Sequence, residues 1–175
     1  MCAIPLALIL GGITTWLVYQ LNPGLFAFLE ERSINFTVSF NFATLLYIIG
    51  IFVFMLIHEF IHAVLIPNFI KSDKTFWGIN GLFGFVFTTE PIKKRRYIII
   101  SFMPCILLSI ILPILLDMVQ LLNGYMAFLC VLNAMGSCVD FLNVVLIVFQ
   151  VPNNAAIINN GFETYYSCEN KCFFK

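Results

Sequence analysis

Four long apolar stretches, separated by turn residues and polar connections, organise this chain. The first runs from Cys2 to about Leu21 without a charged residue and is closed by Asn22, Pro23 and Gly24. Its length suits a helix crossing a hydrocarbon core of about 30 Å, which takes about 20 residues. A secretory signal is the other reading of a leading apolar run. This one has no basic stretch before it and no clear small-x-small cleavage site, so a retained span is expected. Leu25 to Asn41 then forms a short polar connection holding Glu30, Glu31 and Arg32. The second apolar stretch covers Phe42 to about Ile66 and stops at Pro67. A longer connection, Asn68 to Arg96, ends in the basic run Lys93, Lys94, Arg95 and Arg96. The third stretch extends from Tyr97 to about Leu122 with Pro104 and Pro113 inside it. Membrane helices tolerate proline where neighbours satisfy the carbonyls it frees. After an Asn123-Gly124 turn, the fourth stretch runs from Tyr125 to about Phe149, and Pro152 precedes a small polar tail.

The pattern predicts an all-α polytopic membrane protein with about four transmembrane helices. One segment departs from it. Phe76 to Thr89 is rich in aromatics and glycine (Gly78, Gly81, Gly84) and carries no charge until Glu90. Within it, Leu82 to Thr89 reads as a strand. A short, membrane-dipping β-like element is therefore expected between the second and third helices. No internal repeat is evident.

Composition agrees with a lipid solvent. The chain is 61 % hydrophobic and 10 % charged, against about 45–50 % and about 25 % in soluble domains. Its zero net charge gives no footing for nucleic acid as a partner. The connection between the second and third spans holds six basic residues (Lys71, Lys74, Lys93, Lys94, Arg95, Arg96), the tail adds Lys171 and Lys175, and the other side has Arg32 alone. The bias of basic residues toward the cytoplasm then places both termini and the long connection on that side. The Lys93–Arg96 run reads as a determinant of topology and a contact for lipid headgroups, ahead of a substrate site. Of six cysteines, Cys105, Cys130 and Cys138 lie in apolar runs as small hydrophobes. Cys168 and Cys172, in the tail, could pair, bind metal or do neither, and Cys2 begins the first span. Asn35-Phe36-Thr37 fits a glycosylation sequence that arises often by chance.

Ionisable groups are expensive in hydrocarbon, by roughly 2.5–3.5 kcal/mol even on lenient scales. The spans hold five: His58, Glu59, His62, Asp117 and Asp140. The chain has two histidines, and both fall in His58-Glu59-Phe60-Ile61-His62. On a helix, positions i and i+4 share a face, so both imidazoles can address one ion. Glu59 sits where it can reach a water on that ion, and zinc lowers the pKa of such a water to about 7. The competing account is a pair of core histidines with Glu59 as counter-ion. Three ionisable groups within five residues of a membrane helix count against it.

A catalytic zinc typically takes three protein ligands and a water. Depth favours Asp140 as the third. With four spans, the second and fourth run parallel. His58 and His62 lie about 12 Å and 6 Å from the cytoplasmic end of theirs, and Asp140 about 15 Å from the end of its own, at 1.5 Å per residue. Asp117, near the opposite end of the third span, reads better as a helix-end residue. Asn133 fits either a hydrogen bond to substrate or ligand, or a bond between helices. Gly136 and Ser137 would admit a close backbone, and Cys138 is a weak rival ligand.

Three segments carry a resemblance: Leu56-Ile57-His58-Glu59-Phe60-Ile61-His62-Ala63; Arg95-Arg96-Tyr97-Ile98-Ile99-Ile100-Ser101-Phe102-Met103-Pro104; and Asn133-Ala134-Met135-Gly136-Ser137-Cys138-Val139-Asp140. Together, over roughly Phe42 to Gly161, the chain resembles the DUF3267 family of zincin-type peptidases, itself similar to the site-2 protease clan of intramembrane metalloproteases. The resemblance implies zinc held by His58, His62 and Asp140, with Glu59 as general base. Site-2 proteases usually carry Asp-Gly at the aspartate, often after Asn-x-x-Pro. Here Asp140 precedes Phe141, and no proline follows Asn133.

The expected organisation is a transmembrane metallopeptidase-like domain over residues 1–150 and a short cytoplasmic tail over 151–175, in a bacterial plasma membrane. The expected reaction is zinc-dependent hydrolysis of peptide bonds within or at the cytoplasmic edge of the membrane. The partners are then membrane lipids and a transmembrane or membrane-proximal peptide. The Phe76–Thr89 segment reads as a pairing edge for an extended substrate or as an interfacial anchor. The alternative function is a catalytically inactive zinc-binding membrane protein with a regulatory or immunity role. A transporter would show charges spread over several spans and repeat symmetry, and neither is visible.

Overall fold

The computed structural model describes residues 3–29, 40–80, 83–160, 163–168 and 171–174. Cys2, Glu30, Glu31, Arg32, the Asn35-Phe36-Thr37 sequence, Gly81, Leu82 and Lys175 lie outside the described residues, as do the side chains of Lys171 and Cys172. The protein is mostly helical, and among the described residues four stretches are long and apolar enough to cross a membrane: Ala3–Leu21, Phe42–Leu65, Lys94–Met118 and Gly124–Gln150. The shortest has 19 residues, or about 28 Å of helix at 1.5 Å per residue, close to a hydrocarbon core. Large apolar side chains such as Ile4, Trp16, Phe42 and Phe149 stand exposed along them. In water such a surface would drive aggregation.

The first two stretches are the continuous helices α1 (Ala3–Leu21) and α2 (Phe42–Leu65). The third comprises α3 (Lys94–Cys105), a π-helical segment (Ile106–Ile111) and α4 (Leu112–Met118). Pro104 and Pro113 flank the π segment, and each removes an N–H from the ladder. The Leu112 N–H reaches back five residues to the Leu107 carbonyl, the wider turn a π bulge provides. The fourth stretch breaks at Ser137 between α5 (Gly124–Gly136) and α6 (Cys138–Gln150). Asn123 caps α5, its side chain accepting from the Met126 N–H at 3.0 Å.

The β structure exceeds the expectation of an all-α protein with one short β element. The expected element is present as an antiparallel hairpin, β1 (Thr75–Asn80) with β2 (Phe83–Thr88), in which Trp77 faces Val86 in register. A second sheet has the order β3-β4-β5-β6, formed by β3 (Ile92–Lys93), β4 (Ala156–Asn159), β5 (Thr164–Cys168) and β6 (Lys171–Phe174). The segment read as a small polar tail therefore folds back. Ile157 pairs with Ile92 on one side and Tyr166 on the other. The turn between β4 and β5 is closed by Asn160, whose side chain accepts from the Glu163 N–H at 2.7 Å.

Contacts divide the chain into two compact units, Met1–Phe54 with Cys105–Cys138 and Met55–Pro104 with Val139–Lys175. In the first, α1 packs on α5. A Cβ at Gly11 would lie 2.7 Å from Met135 Cγ, so glycine is what admits that side chain. Asn133 is buried there. Its amide donates to Ser109 Oγ at 2.8 Å, Ser109 donates to the Cys130 carbonyl at 2.9 Å, and Ser137 Oγ donates to the Asn133 carbonyl at 2.9 Å. Of its two expected roles, Asn133 fills the one that binds helix to helix. A Cβ on Gly136 would meet nothing within 4 Å among the described residues, so no close backbone is found at that glycine.

In the second unit, Ile66, Ile92 and Ile100 form one small core and Ile147, Val151, Ala155 and Ile157 another, with Tyr97 packed against both. The basic run divides by position. Lys94 is buried and donates to the carbonyls of Val148 (3.2 Å) and Val151 (2.6 Å) and to Asn153 Oδ1 (3.3 Å), capping the C-terminus of α6. Arg96 donates through Nη2 to the Leu65 carbonyl at 3.1 Å, capping α2. Cations are favoured at helix C-termini, where carbonyls lack partners. Lys93, Arg95 and Arg96 are exposed, and Lys94 alone of the run is buried.

Candidate metal centre

The final turns of α2 carry His58 and His62, and the first turn of α6 carries Asp140. The i,i+4 spacing puts both imidazoles on one face of α2. Their Nε2 atoms lie 3.2 Å apart. Asp140 spans the pair, with Oδ2 3.3 Å from His58 Nε2 and Oδ1 3.6 Å from His62 Nε2. The three side chains are largely withdrawn from solvent, at 12 %, 13 % and 23 % exposure.

His62 Nδ1 lies 3.0 Å from the Ile100 carbonyl. A carbonyl can only accept, so Nδ1 carries the proton and Nε2 of the neutral ring presents a lone pair. Two imidazole nitrogens and a carboxylate thus turn toward one point, an arrangement that a cation there would stabilise. The spacing also fits one. Tetrahedral zinc with bonds of about 2.0–2.1 Å sets its ligand atoms about 3.3 Å apart, and the three separations are 3.2, 3.3 and 3.6 Å. Among the described residues, His58, His62 and Asp140 form a group that could hold a metal ion, and neither Asp117 nor Cys138 belongs to it. An N₂O donor set of three leaves a fourth position open, as catalytic zinc sites do.

Glu59, His62 and Asp140 border a cavity of about 160 Å³. Strand β2 closes one wall at short range. A Cβ on Gly84 would fall 2.8 Å from Glu59 Cγ, so glycine is what lets the strand pass the carboxylate's stem. Thr88, Tyr97, Asn143 and Asn159 add polar groups to the lining. The side chain of Asn159 hydrogen bonds with Tyr97 and donates to Thr164 Oγ1 at 3.2 Å, so the folded tail helps to build the wall. Sequence reasoning did not single out these four residues. In the sequence, Asn159-Asn160-Gly161 flanked by β-branched and aromatic residues is the signal that could have found the tail hairpin. Cys105, Cys130 and Cys138 are buried and in no disulfide, and Cys168, of intermediate exposure, is in none either.

The model of the DUF3267 family, described as "Putative zincin peptidase", matches residues 51–156. Comparisons with curated proteins and with solved structures gave no match.

Proposed function

We propose that this chain, which belongs to the DUF3267 family, is a zinc-dependent peptide hydrolase acting within or at the cytoplasmic edge of a membrane. One observation carries the reading: two imidazole nitrogens and a carboxylate converge at metal-ligand spacing beside Glu59, on one cavity. His58, His62 and Asp140 would hold the metal. Bound zinc supplies Lewis acidity, polarising a carbonyl and making hydroxide accessible near neutral pH. Glu59 accepts the proton of the attacking water and passes it to the leaving amine.

The hairpin orients the substrate. Strand β2 pairs with β1 along one edge, and its other edge offers backbone groups to an extended peptide. A substrate helix must unwind first, because its carbonyls are engaged in its own ladder. The exposed Phe76 and Trp77 of β1 suit a membrane interface, where aromatic side chains concentrate. Purified protein in liposomes should cut a single-pass peptide, stop when zinc is chelated and resume when zinc is restored. Cleavage that persists after complete metal removal contradicts the reading.

The cytoplasmic placement rests on the basic residues of the connection. A reporter inserted beside Lys74 should read cytoplasmic and one beside Glu31 external. An external Lys74 would reverse the orientation and move the site to the opposite face.

A further inference from the structure

Pro104 lies inside helix α3, where proline is ordinarily destabilising because it breaks the hydrogen-bond ladder. The carbonyl it cannot serve is that of Ile100, four residues earlier. That same carbonyl accepts the His62 Nδ1–H at 3.0 Å. We propose that Pro104 is a positioning residue of the metal centre: by withholding an N–H, it leaves the Ile100 carbonyl to His62 and so holds that ring with Nε2 toward His58 and Asp140.

Any other residue at position 104 would bring an N–H aimed along the helix at the Ile100 carbonyl, in competition with the imidazole. The ring hydrogen bond does more than fill a vacancy, because it selects the tautomer. With Nδ1 protonated, Nε2 is the ligand atom, and Nε2 is the atom that lies 3.2 Å from its counterpart on His58 and 3.6 Å from Asp140. The register of α2 on α3 does not depend on that bond alone. Arg96 ties the Leu65 carbonyl to the first turn of α3 at 3.1 Å, and Ile66, Ile92 and Ile100 pack together beside it. Replacing the proline should therefore leave the helices in place and loosen the ring. Partners behind a metal-bound histidine typically contribute 10–100-fold in affinity.

This inference rests on the zinc-site reading, and the test separates the two. Zinc affinity is measured by competition with a chromogenic chelator for wild type, Pro104→Ala, His58→Ala and Pro113→Ala, a control at the other proline of the third stretch. Pro104→Ala should bind zinc about 10–100-fold more weakly, with unfolding of the metal-free protein no easier than in wild type, while Pro113→Ala binds normally. Unchanged affinity in Pro104→Ala beside a clear loss in His58→Ala overturns the proposal and leaves the site standing. Equal weakening in Pro113→Ala also overturns it, since the effect would then belong to helix geometry at large. Zinc retained by His58→Ala overturns the site itself. A second measurement needs no variant to fold. The chain has two histidines, so nitrogen-15 spectra of the imidazoles are readily assigned. The His62 ring should carry its proton on Nδ1 in wild type, and a bare Nδ1 there overturns the proposal.

Discussion

Purified protein should hold close to one zinc per chain, and His58→Ala should hold almost none after gel filtration, by elemental analysis. Apparent zinc binding free energies of about 10–16 kcal/mol in four-ligand peptide sites correspond to roughly 2.5–4 kcal/mol per ligand. Losing one ligand then weakens binding by about two to three decades. Asp140→Ala should fall as far, because its carboxylate faces both imidazoles, at 3.3 Å and 3.6 Å. Asp117→Asn and Cys138→Ser, which touch candidates outside the converging group, should keep their zinc. Wild-type zinc content in both His58→Ala and Asp140→Ala would end the three-ligand assignment.

The parts of this molecule that could be read from sequence are those whose cause is local. A membrane span is a matter of length and apolarity, and the four stretches appear within a few residues of where hydropathy puts them. The pairing of His58 with His62 follows from helix geometry alone. Asp140 required one further step, the parallel sense of the second and fourth spans, and its oxygens do lie against both Nε2 atoms.

What was hidden depends on partners distant in the chain. Ile157 looks like one more apolar residue in a short tail until Ile92, 65 positions earlier, pairs with it. The basic run is a clearer case. Counting charge treats Lys93 to Arg96 as equivalent. Lys94 is consumed by carbonyls at the end of α6, 54 and 57 positions away, and Arg96 by the end of α2. Removing Lys94 leaves the buried Val151 carbonyl without that donor, at a cost of about 1–3 kcal/mol. The prolines fall between these cases. Pro104 announces a freed carbonyl in the sequence, and only the fold shows that His62 takes it.

Glu59→Gln should fold, keep its zinc and lose nearly all peptide cleavage. Glutamine has the shape of glutamate and still hydrogen bonds, but at neutral pH it cannot accept a proton from water. A general base typically contributes about 10²–10⁴ in rate, so turnover should fall by that factor with zinc content unchanged. The position makes the substitution clean. Glu59 borders the cavity beside His62 and Asp140 but stands outside the converging donor group, and β2 packs on its Cγ at Gly84, a methylene that glutamine retains. A zinc-binding protein without catalysis makes the opposite claim. There Glu59 is a counter-ion to the histidines, and losing its charge should weaken metal binding or stability, with biological activity following the amount of folded protein. The two accounts therefore separate on one preparation. Normal zinc, normal expression and wild-type substrate processing in Glu59→Gln would remove the general base, and hydrolysis by this site with it.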